Sequence, residues 1–285
     1  MRLFSRTVAR VSLALGTALV VPAAFGADTV LHASRVASTI PLIDPAAPVW
    51  SKAREVAVVL QPQSVVVPMN PEPAVTQIRV RAVHNGKLLA VRINWKDATR
   101  SETVLSDTFG DQVAVEFPIR ADPADLPSPM MGNAGAPVNI LQWRAALQHD
   151  LDYGDPSVRT LYSNAEVDVY PDQLLPAAVA RPYQGAMAVD NPVSRPMRTP
   201  VLDQVAEGWG TLTTKAQSRA EGRGVWHNGV WSVVITLPLA STSQDAPNLR
   251  PGQKTSVAFA VWEGGHREVG SRKSWSDWTA IELAK

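Results

Sequence analysis

Two Asn-Gly dipeptides, at Asn85-Gly86 and Asn228-Gly229, constrain the fold more than any other feature of this sequence. Each lies between two short runs rich in apolar residues, and this arrangement is the strongest short-range signal for a β-hairpin. The strands that they are predicted to join are 77–84 with 88–95, and 224–227 with 230–237. The chain is therefore expected to contain at least two antiparallel strand pairs.

Further short runs of valine, alanine and aromatic residues, bounded by proline or glycine, predict additional strands. These predicted strands span residues 55–60, 64–67, 113–117, 138–143, 255–262 and 278–283. Between residues 145 and 208 prolines interrupt every pattern, so we predict a long irregular excursion with one or two helical turns. Short strands, turn signals and little helix predict an all-β fold, an antiparallel β-sandwich with long irregular loops.

The first 27 residues are typical of a secretory signal peptide. Three arginines precede an apolar run that is too short to cross a bilayer as a helix, and a cleavage site is expected after Gly26 or Ala27. The twin-arginine pattern is absent, so we expect export as an unfolded chain that acquires any cofactor afterwards. Residues 28–285 are then expected to form a single domain without a membrane span.

The charge balance and the cysteine content exclude several function classes. The chain has 27 basic and 26 acidic residues, but three of the basic residues and none of the acidic ones lie in the predicted signal peptide. No basic run remains, so a nucleic-acid partner is not expected. The absence of cysteine excludes thiolate-bound iron–sulfur clusters, cysteine-type zinc sites, thiol nucleophiles and the covalent attachment of a c-type haem.

Lys273 lies in an unusual setting, between Gly270-Ser271 and two tryptophans, so its amine can reach an interior from which aromatic rings exclude water. An amine binds a metal only when it is uncharged. A lysine pKa of about 10.4 in water makes deprotonation at pH 7 cost roughly 4–5 kcal/mol, and burial lowers such a pKa by up to about 3–5 units. The alternative, more common for a lysine, is a surface ion pair with Glu268 or Asp277.

Methionine offers a second kind of soft ligand. Five methionines lie in turn-rich or irregular segments, namely Met69, Met130, Met131, Met187 and Met197. The stretch from Pro129 to Pro137 places two of them on a loop stiffened by proline and glycine, directly before a predicted strand. A thioether from this loop and the amine of Lys273, facing each other across one cavity, could occupy both axial positions of a haem iron. Taken alone, each methionine is more typical of packing.

The five histidines form none of the usual metal-binding spacings. His84 and His227 lie at the hairpin turns and are expected to be exposed. Histidine is the usual alternative as a haem ligand, so His149 and His266 are the substitutes if Lys273 does not serve.

Two other function classes stay open. Nine tryptophans in an exported β-rich chain are compatible with a carbohydrate-binding module without a cofactor, although most of them lie within apolar alternation, where core packing is expected: Trp95, Trp143, Trp231 and Trp262. Acidic residues at 166–172, together with Asp150 and Asp152, are compatible with a hydrolase or a calcium site. The EF-hand spacing is missing, so we expect these carboxylates to cap loops or to be solvated.

Six motifs, in order over nearly the whole chain beyond the signal peptide, carry a resemblance to a known family. They are PMNPEP at 68–73, MGNxGxPVNILxW at 131–143, VDVYP at 167–171, EGWGTLT at 207–213, GVWxNGxW at 224–231, and FAVW at 259–262 running through GxRK at 270–273 to Trp278. Together they resemble the haem b gamma subunits of periplasmic type II molybdenum enzymes of the dimethyl sulfoxide reductase family. The resemblance is greatest to chlorate reductase gamma, and extends to the gamma subunits of selenate reductase, dimethyl sulfide dehydrogenase and ethylbenzene dehydrogenase.

This resemblance implies a β-sandwich that holds one non-covalent haem b between Met131, the methionine before Gly-Asn, and Lys273, the lysine of Gly-x-Arg-Lys. Here Met130 precedes Met131, where the family more often has another residue, so Met130 is the alternative thioether. The implied partners are a catalytic alpha subunit with a molybdenum bis-pterin cofactor, an iron–sulfur beta subunit and a periplasmic cytochrome c. With both axial positions filled, the expected role is electron transfer without catalysis.

Overall fold

The computed structural model describes residues 30–37, 43–120, 125–154, 158–164, 185–194 and 197–285. The predicted signal peptide, the VDVYP motif and the acidic residues at 166–172 lie outside the described residues. No helix in the described part of the chain is long and apolar enough to cross a membrane.

The described residues are mostly in β-strands. The strands are β1 (Leu31–Arg35), β2 (Val56–Val59), β3 (Gln61–Pro62), β4 (Gln77–His84), β5 (Leu88–Lys96), β6 (Gln112–Pro118), β7 (Val138–Arg144), β8 (Val201–Ala206), β9 (Thr213–Thr214), β10 (Glu221–His227), β11 (Val230–Pro238), β12 (Lys254–Trp262), β13 (Ser274–Trp275) and β14 (Thr279–Leu283). The helices are α1 (Ala145–Tyr153), α2 (Val158–Leu161) and α3 (Gly185–Ala188), with 3-10 turns at Pro48–Lys52, Pro192–Ser194 and Gly264–His266.

The strands pair in the order β10-β11-β5-β4-β1-β14-β12-β6-β7-β8-β9, with β2 beside β4 and with β13 between β12 and β3. Strand β12 belongs to both halves of this array. Residues 254–257 pair with β14, whereas residues 258–262 pair with β6. A strand that leaves one sheet for another in this way forms a corner of a sandwich, and one hydrophobic core contains residues from both halves. The all-β sandwich is therefore confirmed.

Three tryptophans fill the centre of that core. The ring centroids of Trp95 and Trp231 lie 6.1 Å apart, and those of Trp143 and Trp231 lie 5.1 Å apart. Strand β10 passes close to this group because Gly224 has no side chain. A Cβ atom there would lie 2.3 Å from the Trp143 ring. Core packing of these tryptophans, as their alternation predicts, is confirmed, since each is 2% exposed or less.

Both predicted hairpins are confirmed. Strands β4 and β5 pair from Arg79–Asn94 to His84–Leu89, and β10 and β11 pair from Glu221–Thr236 to His227–Val230. The predicted strand at 64–67 is wrong, because that segment forms a series of bends. The cause is the Gln63 side chain, whose carbonyl accepts hydrogen bonds from the Val65 and Val66 amides at 2.7 Å and curls the chain back. Gln61 and Pro62 form the short strand β3 instead.

The described residues between 145 and 208 are more regular than predicted. Helix α1 follows β7 directly, and β8 pairs with β7 and β9. Strand β8 was not predicted, because Asp203 lies at its centre and an acid is unusual there. Asp203 is fully buried and is neutralised by Lys215 at 2.8 Å and Arg219 at 3.2 Å, two residues that come later in the chain.

Strand β1 is the second element that sequence patterns missed. It pairs in parallel with both β4 and β14, so the otherwise antiparallel array contains one parallel strand. Its pairing explains why the prediction of an exposed His84 is wrong. Arg35 of β1 lies opposite His84, the histidine is fully buried, and burial lowers its pKa. His227, at the other hairpin, is exposed as predicted.

Candidate functional site

A cavity of about 380 Å³ lies on the face of β6, β7, β8 and β12 that points away from the main core. Side chains alternate along each strand, so one set fills the core and the next lines the cavity. In β7, for example, Leu141 and Trp143 belong to the core, whereas Ile140, Gln142 and Arg144 line the cavity. The sheet therefore forms the floor of the cavity, and loops form its walls.

Four segments outside the sheet supply those walls. They contribute Gln63 and Val66, Met130 and Met131, Trp209, Gly210 and Leu212, and Val269, Gly270, Ser271 and Lys273. Three of these segments belong to motifs on which the family resemblance depends. The structure thus brings together Met131 and Lys273, which are 142 positions apart in the sequence.

The conformation of the loop that carries Met131 is fixed by its backbone dihedral angles and backbone hydrogen bonds. Met131 and Gly132 both have left-handed conformations, with φ of 72° and 74°. Position 132 requires glycine because a Cβ atom there would lie 2.8 Å from the carbonyl oxygen of Ala136. The Gly132 amide donates to the Ser128 carbonyl at 2.9 Å, and the Met131 carbonyl accepts from the Gly208 amide at 2.7 Å. A non-glycine residue in this conformation is strained, and such strain is concentrated at functional sites.

Lys273 reaches the cavity from the turn before β13. Its Nζ lies 5.3 Å from the centroid of the Trp262 ring. The same tryptophan donates from its indole N–H to the Gly270 carbonyl at 2.9 Å, which fixes the turn. Gln63 Nε2 donates to the Ser271 carbonyl, and Ser271 Oγ donates to the Pro68 carbonyl. These two hydrogen bonds hold the turn against residues 63–70. The amine is therefore positioned by three separate parts of the chain.

Burial lowers the pKa of Lys273, and the nearby carboxyl of Glu116 opposes that change. For Glu116 itself, burial raises the pKa to about 8, against the influence of Lys273 and of a hydrogen bond from the Met131 backbone N–H. The site therefore favours a neutral amine, which has a free electron pair for a metal. A second cavity of about 20 Å³, lined by Glu116, Lys273 and Trp262 among others, has room for one water molecule between them.

The structure contradicts the alternative in which Lys273 forms a surface ion pair. Glu268 is 1% exposed, and its carboxylate accepts from Asn70 Nδ2 and from the backbone amides of Ala74 and Glu263 at 2.9–3.0 Å. Asp277 is exposed, and among the described residues neither acid forms an ion pair with the lysine.

The substitute ligands lie elsewhere. His149 is on α1 against the ring of Tyr153, with ring centroids 5.0 Å apart. The His266 side chain is 71% exposed and bonds to Glu263, whose hydrogen bond raises the histidine pKa. Neither histidine lines the cavity.

The methionines separate into two groups. Met69 is 47% exposed, Met197 does not line the cavity, and the side chain of Met187 lies outside the description. Both Met130 and Met131 line the cavity. Met131 also packs against a smaller apolar cluster that includes Trp262, Trp275 and Trp278.

Sequence reasoning missed the polar floor of the cavity. It consists of Gln112, Gln142, Arg144 and Gln204, with Glu116 next to it. The signal was present as polar residues at alternate positions of strands that otherwise consist of apolar residues, for example Glu116 within Val-Ala-Val-Glu-Phe. That pattern usually indicates a solvated face, so it predicts a site only once both faces of the strand are known to be covered.

A buried acidic cluster, Asp97, Asp111 and Glu263, was also missed. One ligand oxygen from each lies within 4.8 Å of the others. Burial raises the pKa of Asp97 to about 7 and that of Asp111 to about 6. Burial would also raise the pKa of Glu263, but hydrogen bonds from His266, Asp97 and Thr99 outweigh it and lower that pKa. These carboxyls already have partners within the protein, so they hold the fold together without needing an ion.

Of the acids that the sequence suggested for a hydrolase, the structure describes only Asp150 and Asp152. Asp152 pairs with Arg223 at 2.6 Å, and Asp150 lies beside His149. Both lie on α1, which does not line the cavity. Their positions agree with the expectation of capping and solvated charge.

The structure is thus a β-sandwich with a cavity that is lined by thioethers and by a lysine whose pKa burial lowers, and comparison with known proteins identifies the family. The model of the ethylbenzene dehydrogenase family matches residues 47–274. This chain therefore belongs to the ethylbenzene dehydrogenase family, and the resemblance found in the sequence motifs is confirmed.

Two curated relatives are similar over most of the chain. The protein named respiratory nitrate reductase heme subunit ORF7 from Haloferax mediterranei is 24% identical over 82% of this chain, which spans only 66% of that relative's length. The chlorate reductase subunit gamma of Ideonella dechloratans is 25% identical, over 94% of this chain and 93% of its own length.

Among solved structures, a family 9 carbohydrate-binding module from Caldicellulosiruptor kristjanssonii in complex with glucose is similar, with a TM-score of 0.43 and 9% identity. That similarity covers 90% of this chain and 96% of the other. It is too weak to carry a conclusion about this chain.

Proposed function

We propose that this chain is an electron-transfer subunit that binds one b-type haem between Met131 and Lys273. The observation that carries the proposal is that both residues line one cavity and that burial lowers the pKa of Lys273. The names of the two curated relatives, a heme subunit of a nitrate reductase and a gamma subunit of a chlorate reductase, support the same role.

The residues present fit a haem held without a covalent bond. The chain has no cysteine for covalent attachment, and the cavity offers the thioethers of Met130 and Met131 and the amine of Lys273, whose pKa burial lowers. Apolar side chains of Ile140, Leu212 and Trp262 line the same space and suit a flat apolar macrocycle. When bound, the haem supplies reversible one-electron transfer.

The chain's own residues determine what the bound iron is able to do. Met131 and Lys273 would fill both axial positions, which leaves no position for a substrate, so the subunit itself would not be catalytic. The thioether favours ferrous iron and so tends to raise the reduction potential. Trp262, Trp275 and Trp278 pack with Met131 in one apolar cluster beside the amine.

The proposed partners follow from the family. A catalytic alpha subunit would hold the molybdenum bis-pterin cofactor, and a beta subunit would hold the iron–sulfur clusters. This cysteine-free chain has no thiolates with which to bind such clusters. Electrons would pass between the beta subunit and a periplasmic cytochrome c through this chain, which we propose is exported to the periplasm after removal of residues 1–27.

The alternative, a carbohydrate-binding module without a cofactor, is not favoured. Sugar binding uses exposed aromatic faces, whereas of the nine tryptophans only Trp209 is more than half exposed. A hydrolase is not favoured either. The acids that converge within the described residues, Asp97, Asp111 and Glu263, are at most 3% exposed and are out of reach of a substrate.

Optical spectroscopy of the haem-loaded protein tests the proposal. The wild-type protein is expected to show a low-spin, reducible b-type spectrum. Lys273→Ala and Met131→Ala should each abolish the low-spin spectrum or lose the haem, while Met130→Ala should have a much smaller effect. Met69→Ala is the matched control, because that thioether lies outside the cavity.

Two results would contradict the proposal in different ways. A folded wild-type protein that binds no haem would refute the function as a whole. Loss of the low-spin spectrum in Met130→Ala, with Met131→Ala unaffected, would move the sulfur ligand by one residue and leave the rest of the proposal standing.

A further inference from the structure

Arg144 is a partly buried cation, and among the described residues no counter-ion lies beside it. It lies at the end of β7 and lines the large cavity. Burial alone lowers its pKa, and its Nε has no hydrogen-bond partner. Its guanidinium donates at 3.1 Å to Gln142 Oε1, but no ion pair with a carboxylate is found in the part of the chain that the structure describes.

Two other partly buried cations near this sheet have their charge compensated. Lys215 and Arg219 share Asp203, at 2.8 and 3.2 Å. Taking a cation out of water without an opposite charge is strongly unfavourable, and structures usually avoid it by pairing the group. An unpaired guanidinium that faces a cavity therefore indicates that a bound molecule supplies the negative charge.

The floor of the cavity orients Arg144 for such a contact. Gln142 Nε2 donates to Gln112 Oε1 at 2.7 Å, and Gln112 Nε2 donates to the Gly110 carbonyl at 3.3 Å. This chain of amides fixes Gln142 Oε1 as the acceptor for Arg144. The remaining N–H groups of a planar guanidinium form a fork that matches the two oxygens of a carboxylate.

Gln204 on the same floor has a second unsatisfied atom. Its Oε1 is buried without a partner, while its Nε2 contacts Thr214 Oγ1 at 3.1 Å. Turning this amide by 180° keeps the contact, because the threonine hydroxyl can donate as well as accept. The turned amide presents its NH2 group to the cavity, where it adds a second donor for an anion.

We propose that Arg144, oriented by Gln142 and assisted by Gln204, binds a propionate carboxylate of the haem. This inference rests on the proposed function. The propionate contact would also fix the rotation of the macrocycle, which the two axial ligands leave free. Bound by Met131 and Lys273 alone, a haem would be free to turn about the line that joins its two ligands, whereas a contact at its edge would fix the rotation. Arg144 is thus a positioning residue that selects one orientation of the porphyrin.

A comparison of haem b with its dimethyl ester, in which both propionates are uncharged, tests the charge contact. The wild-type protein should bind haem b about 10- to 100-fold more tightly than the ester, as expected for a charge-assisted pair. In Arg144→Gln that ratio should fall close to one, with the affinity for the ester unchanged. Arg144→Lys, which keeps the charge without the fork, should retain part of the ratio. Arg79→Gln, an exposed arginine paired with Glu55, is the control.

The outcomes separate this inference from the function on which it rests. An equal loss of affinity for both compounds in Arg144→Gln would mean that the arginine is only structural, and an unchanged ratio would overturn the contact. Binding of neither compound by the wild-type protein would overturn both proposals.

Two measurements check the same contact independently. Without haem, Arg144→Gln should be at least as resistant to thermal unfolding as the wild-type protein, because it lacks an unpaired buried charge. With haem, proton NMR should show one set of haem methyl resonances in the wild-type protein and two sets in the variant. A single unchanged set in Arg144→Gln would contradict the positioning role.

Discussion

The acidic cluster consists of three buried carboxyls, whereas the cavity wall combines the buried Glu116 with the partly buried Arg144 and Lys273, and the two regions differ in their hydrogen bonding. In the cluster of Asp97, Asp111 and Glu263, every carboxylate oxygen accepts a hydrogen bond from the protein. On the wall, Glu116 Oε1 and Arg144 Nε have none. Polar groups that are satisfied internally stabilise the fold, whereas unpartnered polar groups that face a cavity are available to a ligand.

The two regions are also adjacent, because β12 ends between them. Trp262, its last residue, lines the cavity, and Glu263, the next one, belongs to the cluster. The cluster joins the end of β5 to the start of β6 and to Trp231 of β11. It therefore holds the corner of the sandwich against which the cavity is built, and a change in the cluster should affect stability whether haem is present or not.

The largest effect is expected from Asp111→Ala. This change leaves the Gly264 amide, the Ser101 amide and the Trp231 indole N–H without an acceptor in the core. Each unsatisfied buried donor costs about 1–3 kcal/mol, so the haem-free protein should lose about 3 kcal/mol or more of its free energy of unfolding, measured with urea. Asp107→Ala, at an exposed position, is the control and should change it by less than about 0.5 kcal/mol. A loss confined to the haem-loaded protein would contradict the division between the two regions.

Elements that depend on neighbouring residues were predicted from the sequence, whereas elements that depend on residues far apart in the chain were missed. The two Asn-Gly hairpins depend on neighbouring residues, and both were predicted. Strand β8 was missed because the residues that neutralise Asp203 come later in the chain, and β1 because parallel pairing has no local signal.

The same reasoning applies to the site. Met131 and Lys273 were named from motifs, and the structure places both on one cavity. Arg144 and Glu116 were not named from the sequence, because a polar residue in a strand usually indicates a solvated face. Only the tertiary structure shows that loops cover this face of β6 and β7, so that polar residues there become buried.

A smaller and pH-dependent effect is expected from Asp97→Asn. Burial raises the pKa of Asp97 to about 7 from an ordinary value of 3.8, so the folded protein keeps a proton that the unfolded chain has lost. The stability contributed by this proton is full below pH 3.8 and is lost as the pH rises towards 7. Asparagine imitates the protonated acid at every pH. The variant should therefore gain over the wild-type protein as the pH rises, by about 2 kcal/mol at pH 8, with little difference at pH 4.

Urea unfolding of both proteins between pH 4 and pH 8 provides the measurement. Glu102→Gln is a suitable control, because its carboxylate pairs with Arg100 near the surface. A difference that stays constant with pH would mean that Asp97 is charged in the folded protein throughout. The folded protein would then not keep a proton on Asp97 that the unfolded chain has lost.

The smallest effect on the haem-free protein is expected from Lys273→Leu. The Lys273 Nζ lies 5.3 Å from the centroid of the Trp262 ring, it forms no ion pair with any described residue, and burial favours its neutral form. Replacing it with an apolar side chain should leave the free energy of unfolding within about 1 kcal/mol of the wild-type value. Adding haem should separate the two proteins, because a ligand stabilises only the folded state that binds it. If Lys273→Leu instead cost 3 kcal/mol or more without haem, Lys273 and Glu116 would be a structural pair like those of the acidic cluster.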